Sequence, residues 1–229
     1  MASKVKRAYV SARREKSAAL TKKRVQAAAA SLFARRGIDA VTIAEIAERA
    51  EVSASSVYAL YGSKEGVLYA LLESTLFGAS YRAAATRLDG VEEPIARLAM
   101  TASVARAIYE SESEEIAIIR GASSFSAALR RLEQGLEERR YELQEERVTR
   151  LHAAGLLTPE LTLEKARRLV WMYTARDVYR LLVLEGGFTN DEYEAWLAAT
   201  LVSALVRGRV ARRPNRTTRK PPRRARSRA

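Results

Sequence analysis

The sequence contains no cysteine and only one histidine, His152, in 229 residues. Disulfides and thiolate metal sites are therefore excluded, and little remains for a zinc site or for histidine-based catalysis. No apolar run approaches the roughly 18 residues of a membrane span, and residues 1–17 lack the apolar segment of a secretion signal. We therefore expect a cytoplasmic protein that has no metal or other cofactor and does not enter a membrane.

The residue sets that catalysis needs are also missing. The sequence offers no Ser/His/Asp set, no phosphate-binding glycine loop and no metal-ligand cluster, and its carboxylates are scattered mostly on the outer faces of predicted helices. We expect that the protein is not an enzyme, and we keep catalysis as the alternative of another functional class.

Helical periodicity is the dominant pattern, and no segment alternates with period two for long enough to predict a sheet. The sequence therefore predicts an all-α protein, and its hydrophobic content of 48% is ample for a sizeable core. A shift to longer amphipathic helices places a domain boundary near residues 78–92. The predicted helices span residues 17–36, 43–50, 53–61, 64–77, 93–109, 114–120, 124–153, 163–173, 175–185 and 191–207.

One position within the C-terminal helices allows two interpretations. Thr174 and Asp177 form a Thr-x-x-Asp capping pattern inside what otherwise resembles a single helix over 163–185. The pattern predicts a break or kink at Thr174. An uninterrupted helix, with Thr174 bonding back to its own turn, is equally compatible with the sequence.

Basic residues are concentrated at the two ends of the chain. Residues 1–24 carry a net charge of +8 and residues 207–229 carry +11, whereas the total is +13, so the middle of the chain is acidic at −6. This distribution indicates a polyanion that meets the ends. We expect a basic flexible arm over residues 1–16 and a disordered basic tail over 208–229, where three prolines occur. The tail could bind DNA, RNA or an acidic partner, or only improve solubility.

Three short helices with very tight turns are predicted over residues 42–77. Thr42 and Glu45 form a capping box that starts a helix at Ile43. Ser53 provides a second N-cap, and Gly62 with Ser63 ends one helix and caps the next. Helices of roughly eight residues are not stable alone in water and must pack against longer neighbours. A compact helix pair of this kind suits presentation of one helix to a DNA major groove.

The segment over residues 21–73 resembles the DNA-binding domain of the tetracycline-repressor (TetR) family of bacterial transcriptional regulators, without a gap. The stretch over 177–201 is similar to the end of many family members, more loosely. The positions that carry the first resemblance are Leu32-Phe33, Gly37, Thr42-Ile43, Ile46-Ala47, Val52-Ser53, Val57-Tyr58, Tyr61 and Ser63-Lys64.

The resemblance implies an all-α fold with an N-terminal helix-turn-helix domain over 17–77 and a larger helical ligand-binding and dimerisation domain over 78–207. It also implies a ligand-responsive regulator, a repressor by expectation, that binds a palindromic operator in double-stranded DNA as a homodimer. An unidentified small molecule in the larger domain would spread the two DNA-binding domains and release DNA.

Site residues follow from the resemblance position by position. It implies phosphate contacts for Thr42, Tyr58 and Lys64, and it makes Tyr61 a further DNA-binding position. The residues implied at the groove or its rim are Ser53, Ala54, Ser55, Ser56, Ala59 and Leu60.

Two departures from the family pattern bear on DNA recognition. Glu51 occupies a tight-turn position where the family usually has Gly, so either a left-handed backbone there costs on the order of 1 kcal/mol or the turn differs slightly. The recognition helix also has no Arg, Asn or Gln for a bidentate base contact. Base recognition must then use serine hydroxyls, alanine methyls or the basic N-terminal residues. The candidates there are Arg13, Arg14, Lys22 and Lys23, which could equally form a solvated helix face.

The larger domain offers weaker signals. Mixed aromatic and polar side chains within its helices are candidates for a ligand pocket, although each is more often plain core or surface. These candidates are Arg106, Tyr109, Phe125, Trp171, Met172, Tyr173 and Arg176. The apolar face predicted to pair with a second copy comprises residues 178–184 together with Tyr193, Trp196, Leu197, Thr200, Leu201, Ala204 and Leu205.

An architectural DNA- or RNA-binding protein without a ligand is the second interpretation. The recognition helix is poor in base-reading side chains and the tail is basic, as such a protein would require. A regulator would protect one palindromic site, whereas an architectural protein would coat many sequences.

Overall fold

The computed structural model describes residues 2–121 and 126–207, with residues 2–16 described by backbone alone. Within these ranges the protein is helical and has no strand, which confirms the predicted all-α class. The helices are α1 (Ala2–Arg36), α2 (Ile43–Arg49), α3 (Ala54–Tyr61), α4 (Lys64–Leu76), α5 (Ala79–Asp89), α6 (Pro94–Ala99), α7 (Thr101–Glu110), α8 (Glu114–Gly121), α9 (Ala127–Glu142), α10 (Glu145–Ala153), α11 (Leu163–Tyr173), α12 (Arg176–Tyr179) and α13 (Asn190–Leu205). A π-helical turn (Arg180–Leu184) follows α12.

The first helix is longer than the sequence pattern predicted. It begins at Ala2, whereas the prediction began at residue 17. Residues 2–36 include neither Gly nor Pro, and the Ala, Lys, Arg and Glu residues there are strong helix formers, so nothing ends the helix earlier. Gly37, at φ +77°, then ends it as predicted.

The N-terminal domain packs α2, α3 and α4 around the C-terminal half of α1. The side chains at its centre are fully buried: Val25, Ala29, Ile46, Val57, Val67 and Leu68. Helix α4 also continues into the larger domain, because it packs against α1 and α3 on one side and against α7 and α9 on the other. Helix α1 also packs against α8 of the larger domain, so both α1 and α4 join the two predicted domains.

Helix α13 is the central element of the larger domain. It packs against α6, α7 and α11, and Tyr193, Leu197, Leu201 and Leu205 have no exposed surface. The prediction that these four residues face a second copy is therefore wrong. They repeat every four residues, and this spacing describes a core-facing stripe as well as an interface.

The other side of α13 carries small side chains. Ala195, Ala199 and Ser203 are exposed, and Trp196, Thr200 and Ala204 are half-buried. On the neighbouring π-helical turn, Leu181 and Leu184 are exposed by 52% and 62%. Of the α13 residues predicted to face a second copy, Trp196, Thr200 and Ala204 thus keep some exposed surface in a single chain. In the predicted segment 178–184, Tyr179 is buried, and Leu181 and Leu184 are the exposed residues.

Several helices of the larger domain differ from their predicted bounds. The predicted helix over 93–109 is divided at Met100 into α6 and α7, and the one over 124–153 is divided at residues 143–144 into α9 and α10. Residues 122–125 lie outside the described residues, so the predicted start at 124 and Phe125 lie there too. Helix α5 was not predicted, since its residues fell in the proposed domain boundary. Helix α11 has the predicted bounds.

A break does occur at Thr174, where α11 ends and Ala175 becomes the N-cap of α12. The Thr174 hydroxyl bonds back to the Val170 carbonyl at 2.8 Å and does not cap α12. The predicted break is confirmed, and the back-bonding of the other interpretation is present as well. Among the described helices, none is long and apolar enough to cross a membrane.

Candidate DNA-binding surface

Helix α2 begins where the capping box was predicted. The Thr42 hydroxyl accepts from the Glu45 amide at 3.3 Å, and the Thr42 amide donates to the Glu45 carboxylate at 2.8 Å. Arg36 at the end of α1 donates to the same carboxylate at 2.7 Å. These bonds, with Arg36 contributing most, lower the pKa of Glu45 to about 2. The exposed Thr42 is thereby fixed at the surface by charge-assisted hydrogen bonds.

The turn between α2 and α3 holds the one non-glycine residue with a positive φ among the described residues. Glu51 has a φ of 52°, so of the two alternatives the left-handed backbone is the one present. Arg24 of α1 donates to the Glu51 carbonyl at 2.8 Å and to its carboxylate at 3.0 Å. These contacts tie the turn to α1 and offset part of the cost of the left-handed backbone.

Helix α3 has a single fully buried side chain, Val57, and turns its other side outward. Ser55 and Ala59 are exposed, and Tyr58 is 55% exposed although it is a large aromatic residue. These three residues are spaced i, i+3 and i+4, so they share one face of the helix. We define the outer face of α3 as Ser55, Tyr58 and Ala59.

Serine hydroxyls cluster at the start of α3. The Ser53 hydroxyl caps the helix by accepting from the Ser56 amide at 3.1 Å. It also lies 2.9 Å from the Ser55 hydroxyl and 2.8 Å from the Ser56 hydroxyl. Hydroxyl protons rotate freely, so the cluster can offer either donors or acceptors to a partner. Ala54 and Leu60, beside this cluster and at the far end of the helix, are half-buried.

Tyr61 braces α3 against α1. It is half-buried, its hydroxyl donates to the Lys22 carbonyl at 3.3 Å, and burial raises its pKa above the usual value. The side chains of Lys22 and Lys23 are exposed on α1 beside this contact. Arg13 and Arg14 belong to the same helix, but their side chains lie outside those that the structure describes.

The start of α4 lies very close to the end of α3. Gly62 turns the chain at a φ of +73°, and Ser63 caps α4 by accepting from the Gly66 amide at 3.1 Å. A Cβ atom on Gly66 would lie 2.0 Å from the Tyr61 carbonyl oxygen, so glycine is required for this approach. Lys64 is half-buried and its ammonium lies 3.4 Å from the Asp39 carbonyl.

An apolar cavity, here called the α4 cavity, lies inside the larger domain at the end of α4. Its free volume is about 30 Å³, and it is partly open to solvent. Of the predicted ligand residues, Tyr109 lines it. The other lining residues are Leu76, Phe77, Tyr81, Thr101, Val104, Ala105, Ile108, Arg140, Leu143, Gln144, Arg147 and Thr174.

Tyr109 is buried and donates to the Thr174 carbonyl at 2.8 Å, and burial raises its pKa to about 12. Arg106 instead reaches α13, where it pairs with Asp191 at 2.5 Å and with Glu194 at 3.0 Å. Arg176 pairs with Glu112 and, with Tyr109, lines a neighbouring pocket of about 260 Å³.

The remaining predicted ligand residues do not line the α4 cavity. Trp171 donates to Glu137 at 3.1 Å, Met172 is 41% exposed, and Tyr173 is half-buried. Sequence reasoning missed Arg140, Gln144 and Arg147, although their spacing places polar residues on the apolar face of Leu136, Val148 and Leu151. Polar residues that interrupt an apolar stripe are the signal that could have found them.

Comparison with known proteins agrees with this geometry. Residues 26–71 match the family model described as bacterial regulatory proteins, tetR family. No curated protein matches the chain.

The fold is similar to several solved structures. One is the transcriptional regulator FadR from Bacillus subtilis in complex with stearoyl-CoA, at 16% identity and a TM-score of 0.64, with 80% of this chain and 98% of that chain covered. Another is NalD of Pseudomonas aeruginosa, the secondary repressor of the MexAB-OprM multidrug efflux pump, at 19% identity and a TM-score of 0.62, with 83% and 98% covered. At such identities the likeness shows the fold.

Proposed function

Because its N-terminal domain belongs to the TetR family of bacterial regulatory proteins, we propose that this chain is a ligand-responsive, sequence-specific transcriptional repressor that binds a palindromic operator as a homodimer. The observation that carries the proposal is the outer face of α3, which a matched helix-turn-helix domain leaves uncovered. A helix presented in this way fits the major groove of B-DNA.

Phosphate contacts surround this face in the proposal. The Tyr58 hydroxyl donates to a phosphate oxygen, and the Lys64 ammonium exchanges its contact with the Asp39 carbonyl for a phosphate. The Thr42 hydroxyl, at the start of α2, exchanges its bond to the Glu45 carboxylate, 2.8 Å away, for a phosphate oxygen. Such contacts fix the register of the protein on the duplex without reading its sequence.

Base recognition in the proposal uses small groups. Ser53, Ser55 and Ser56 present hydroxyls, and Ala54, Ala59 and Leu60 present apolar groups to the groove or its rim. Methyl groups contact thymine and hydroxyls serve any base edge, so this helix alone discriminates weakly. We assign additional affinity to Arg13, Arg14, Lys22 and Lys23 on α1, as minor-groove or phosphate contacts. Tyr61 contributes at the edge of the DNA-binding surface, because the bond from its hydroxyl to the Lys22 carbonyl holds α1 and α3 together.

In the proposal, a second copy of the chain packs against the exposed side of α13 and the π-helical turn. Ala195, Ala199 and Ser203 allow close approach of a helix, and Leu181 and Leu184 would lose their exposed apolar surface there. An isologous pairing of this kind places two DNA-binding domains on one duplex, which matches a palindrome. Ala199→Arg should give monomers by light scattering after gel filtration, whereas Ala153→Arg, an exposed control on α10, should leave dimers.

Helix α4 supplies the link between ligand and DNA. Lys64 at its start adjoins the DNA-binding face, and Leu76 at its end lines the cavity. Arg139 of α9 holds the same end, through Glu73 at 2.9 Å and over the Phe77 ring at 4.2 Å. A ligand that fills the cavity therefore presses on α4 and shifts the DNA-binding domains. By linkage, it binds more tightly to the form that releases DNA.

The test is selection of bound fragments from random double-stranded DNA by the full chain, repeated at increasing salt. We expect one palindromic sequence to persist as salt rises. Enrichment of unrelated sequences that disappears with salt would instead support an architectural protein, which the lack of Arg, Asn and Gln in α3 favours as the second candidate.

Tyr58→Phe refines the test because it removes one hydroxyl and keeps the ring. We expect affinity for the selected site and for unrelated DNA to fall alike, by about tenfold for a charge-assisted bond. Tyr69→Phe is the matched control, since Tyr69 is an exposed tyrosine of α4. Equal affinities of Tyr58→Phe and the unaltered protein would contradict the assigned contact.

A further inference from the structure

Three arginines are buried in the larger domain, and they differ in how their charge is balanced. Arg97 has Glu146 at 3.1 Å and Asp89 at 3.9 Å, and Arg140 has Glu137 at 2.6 Å. Arg147 is equally buried, at 7% exposure, and has no ion pair among the described residues.

The contacts of Arg147 leave its charge uncompensated. One terminal nitrogen donates to the Leu143 carbonyl at 2.5 Å and to the Gln144 amide oxygen at 3.1 Å. Its Nε is buried and has no hydrogen-bond partner. The adjacent Glu146 is engaged by Arg97 and Arg150. A buried cation without an anion is costly, and burial lowers the pKa of this guanidinium.

The surroundings of Arg147 are mostly apolar. It lines the α4 cavity together with Leu76, Phe77, Val104 and Ile108, and the polar lining includes Tyr81, Thr101 and Gln144. Arg140 lines the same cavity, but Glu137 already balances its charge. The cavity therefore contains one buried cation that has no ion pair with any residue the structure describes, in a mostly apolar wall. Its free volume of about 30 Å³ holds roughly two water molecules, so an organic ligand enters only when lining side chains move apart.

We propose that this cavity binds an organic monoanion, with its carboxylate on Arg147 and a slender apolar body against Leu76, Phe77 and Ile108. The carboxylate supplies the acceptor that Nε lacks and balances the single charge. The half-buried Tyr81 and the 38% exposed Leu143 form the side through which the ligand enters. The proposal names the effector class of the proposed regulator and rests on it for its biological meaning alone.

The test measures binding to the full chain by calorimetry in the absence of DNA. Hexanoate carries both headgroup and body, hexan-1-ol carries the body alone, and acetate carries the headgroup alone. We expect hexanoate to bind at least about tenfold more tightly than either, since a hydrogen bond to a charged group contributes that much. The pair 3-phenylpropionate and 3-phenylpropan-1-ol repeats the comparison with a ring. Equal binding of acid and alcohol in both pairs, or no binding of either acid, would overturn the proposal.

Arg147→Met tests the residue itself. Replacing an unpaired buried charge with an apolar side chain of similar length should keep the fold. We expect this variant to bind hexanoate about 10- to 100-fold more weakly and hexan-1-ol unchanged. Arg150→Met, on the same helix but 41% exposed, is the matched control and should bind both as the unaltered protein does. Undiminished hexanoate binding by Arg147→Met would contradict the assignment.

Failure of this proposal can be distinguished from failure of the proposed function. DNA affinity of the ligand-free protein is measured independently by fluorescence anisotropy. Specific DNA binding without carboxylate binding would remove this inference and keep the regulator. Carboxylate binding that depends on Arg147, without specific DNA binding, would keep this inference and remove the proposed regulator.

Discussion

The two domains differ in how regularly their helices begin at a side-chain cap. In the N-terminal domain each short helix begins at a hydroxyl residue of its own: Thr42, Ser53 and Ser63 cap α2, α3 and α4. In the larger domain Glu93, Ser126, Thr162 and Thr189 cap α6, α9, α11 and α13, whereas α5, α7, α10 and α12 begin without a side-chain cap. Buried arginines there also satisfy helix ends from a distance. Local signals therefore define the short helices of the N-terminal domain, whereas the larger domain combines local caps with long-range contacts.

The largest effect is expected in the core of the larger domain. Leu201→Ala removes a fully buried side chain of α13 and should lower the free energy of unfolding by about 2–5 kcal/mol. Thermal and urea unfolding would measure this loss. Ala199→Ser, on the exposed side of the same helix, should change stability little. A small loss for Leu201→Ala would mean that α13 is not the core helix described above.

A smaller effect is expected where α3 and α4 meet. Gly66→Ala places a Cβ atom against the Tyr61 carbonyl and should destabilise the protein by about 1–3 kcal/mol, with reduced DNA affinity. Gly135→Ala in α9 meets nothing within 4 Å and should instead stabilise by about 0.5–1 kcal/mol. Unfolding and anisotropy measurements on both variants sharpen the contrast between the two domains. Equal stability of both variants would contradict the close approach.

The sequence predicted the N-terminal domain well because its signals are local. The Thr42–Glu45 capping box, the Ser53 cap and the positive φ considered for Glu51 all concern residues near one another in the chain. They need no knowledge of the tertiary fold. The DNA contacts themselves remain predictions.

The larger domain was predicted less well, for a reason visible at Arg97. Its buried guanidinium donates to the carbonyls of Leu88 and Val91, which end α5 and begin the following turn. A side chain from α6 thus stabilises the end of α5, and no local pattern indicates it. The polar residues that line the cavity were missed likewise, since Arg140 and Arg147 reach it from either side of a break without Gly or Pro at residues 143–144.

A still smaller effect is expected at the left-handed turn. Glu51→Gly removes the strain of a positive φ, keeps the carbonyl that Arg24 contacts, and loses an exposed ion pair. We expect the free energy of unfolding to rise by up to about 1 kcal/mol. Chemical unfolding would measure it. A loss of stability would show that the Arg24–Glu51 ion pair outweighs the backbone strain.

The smallest effect concerns the pH dependence of the N-terminal domain. The pKa of Glu45 is lowered to about 2 from 4.5, so its capping contributes stability above pH 4.5 and loses it as pH falls toward 2. An NMR titration of the Glu45 carboxyl should show the low midpoint. Arg36→Gln, which removes the largest cause, should raise that midpoint. An ordinary midpoint in the unaltered protein would contradict the described contacts.

The most direct measurement of the central claim uses the absence of cysteine. A single cysteine introduced by Glu65→Cys, beside Lys64, carries an iron chelate that cleaves nearby DNA, and His152→Cys on the larger domain carries the same chelate as a control. On the selected DNA we predict cleavage at two positions related by the symmetry of the site for Glu65→Cys, and background cleavage for His152→Cys. Background cleavage by both proteins, while the DNA stays bound, would contradict the claim that the outer face of α3 enters the groove.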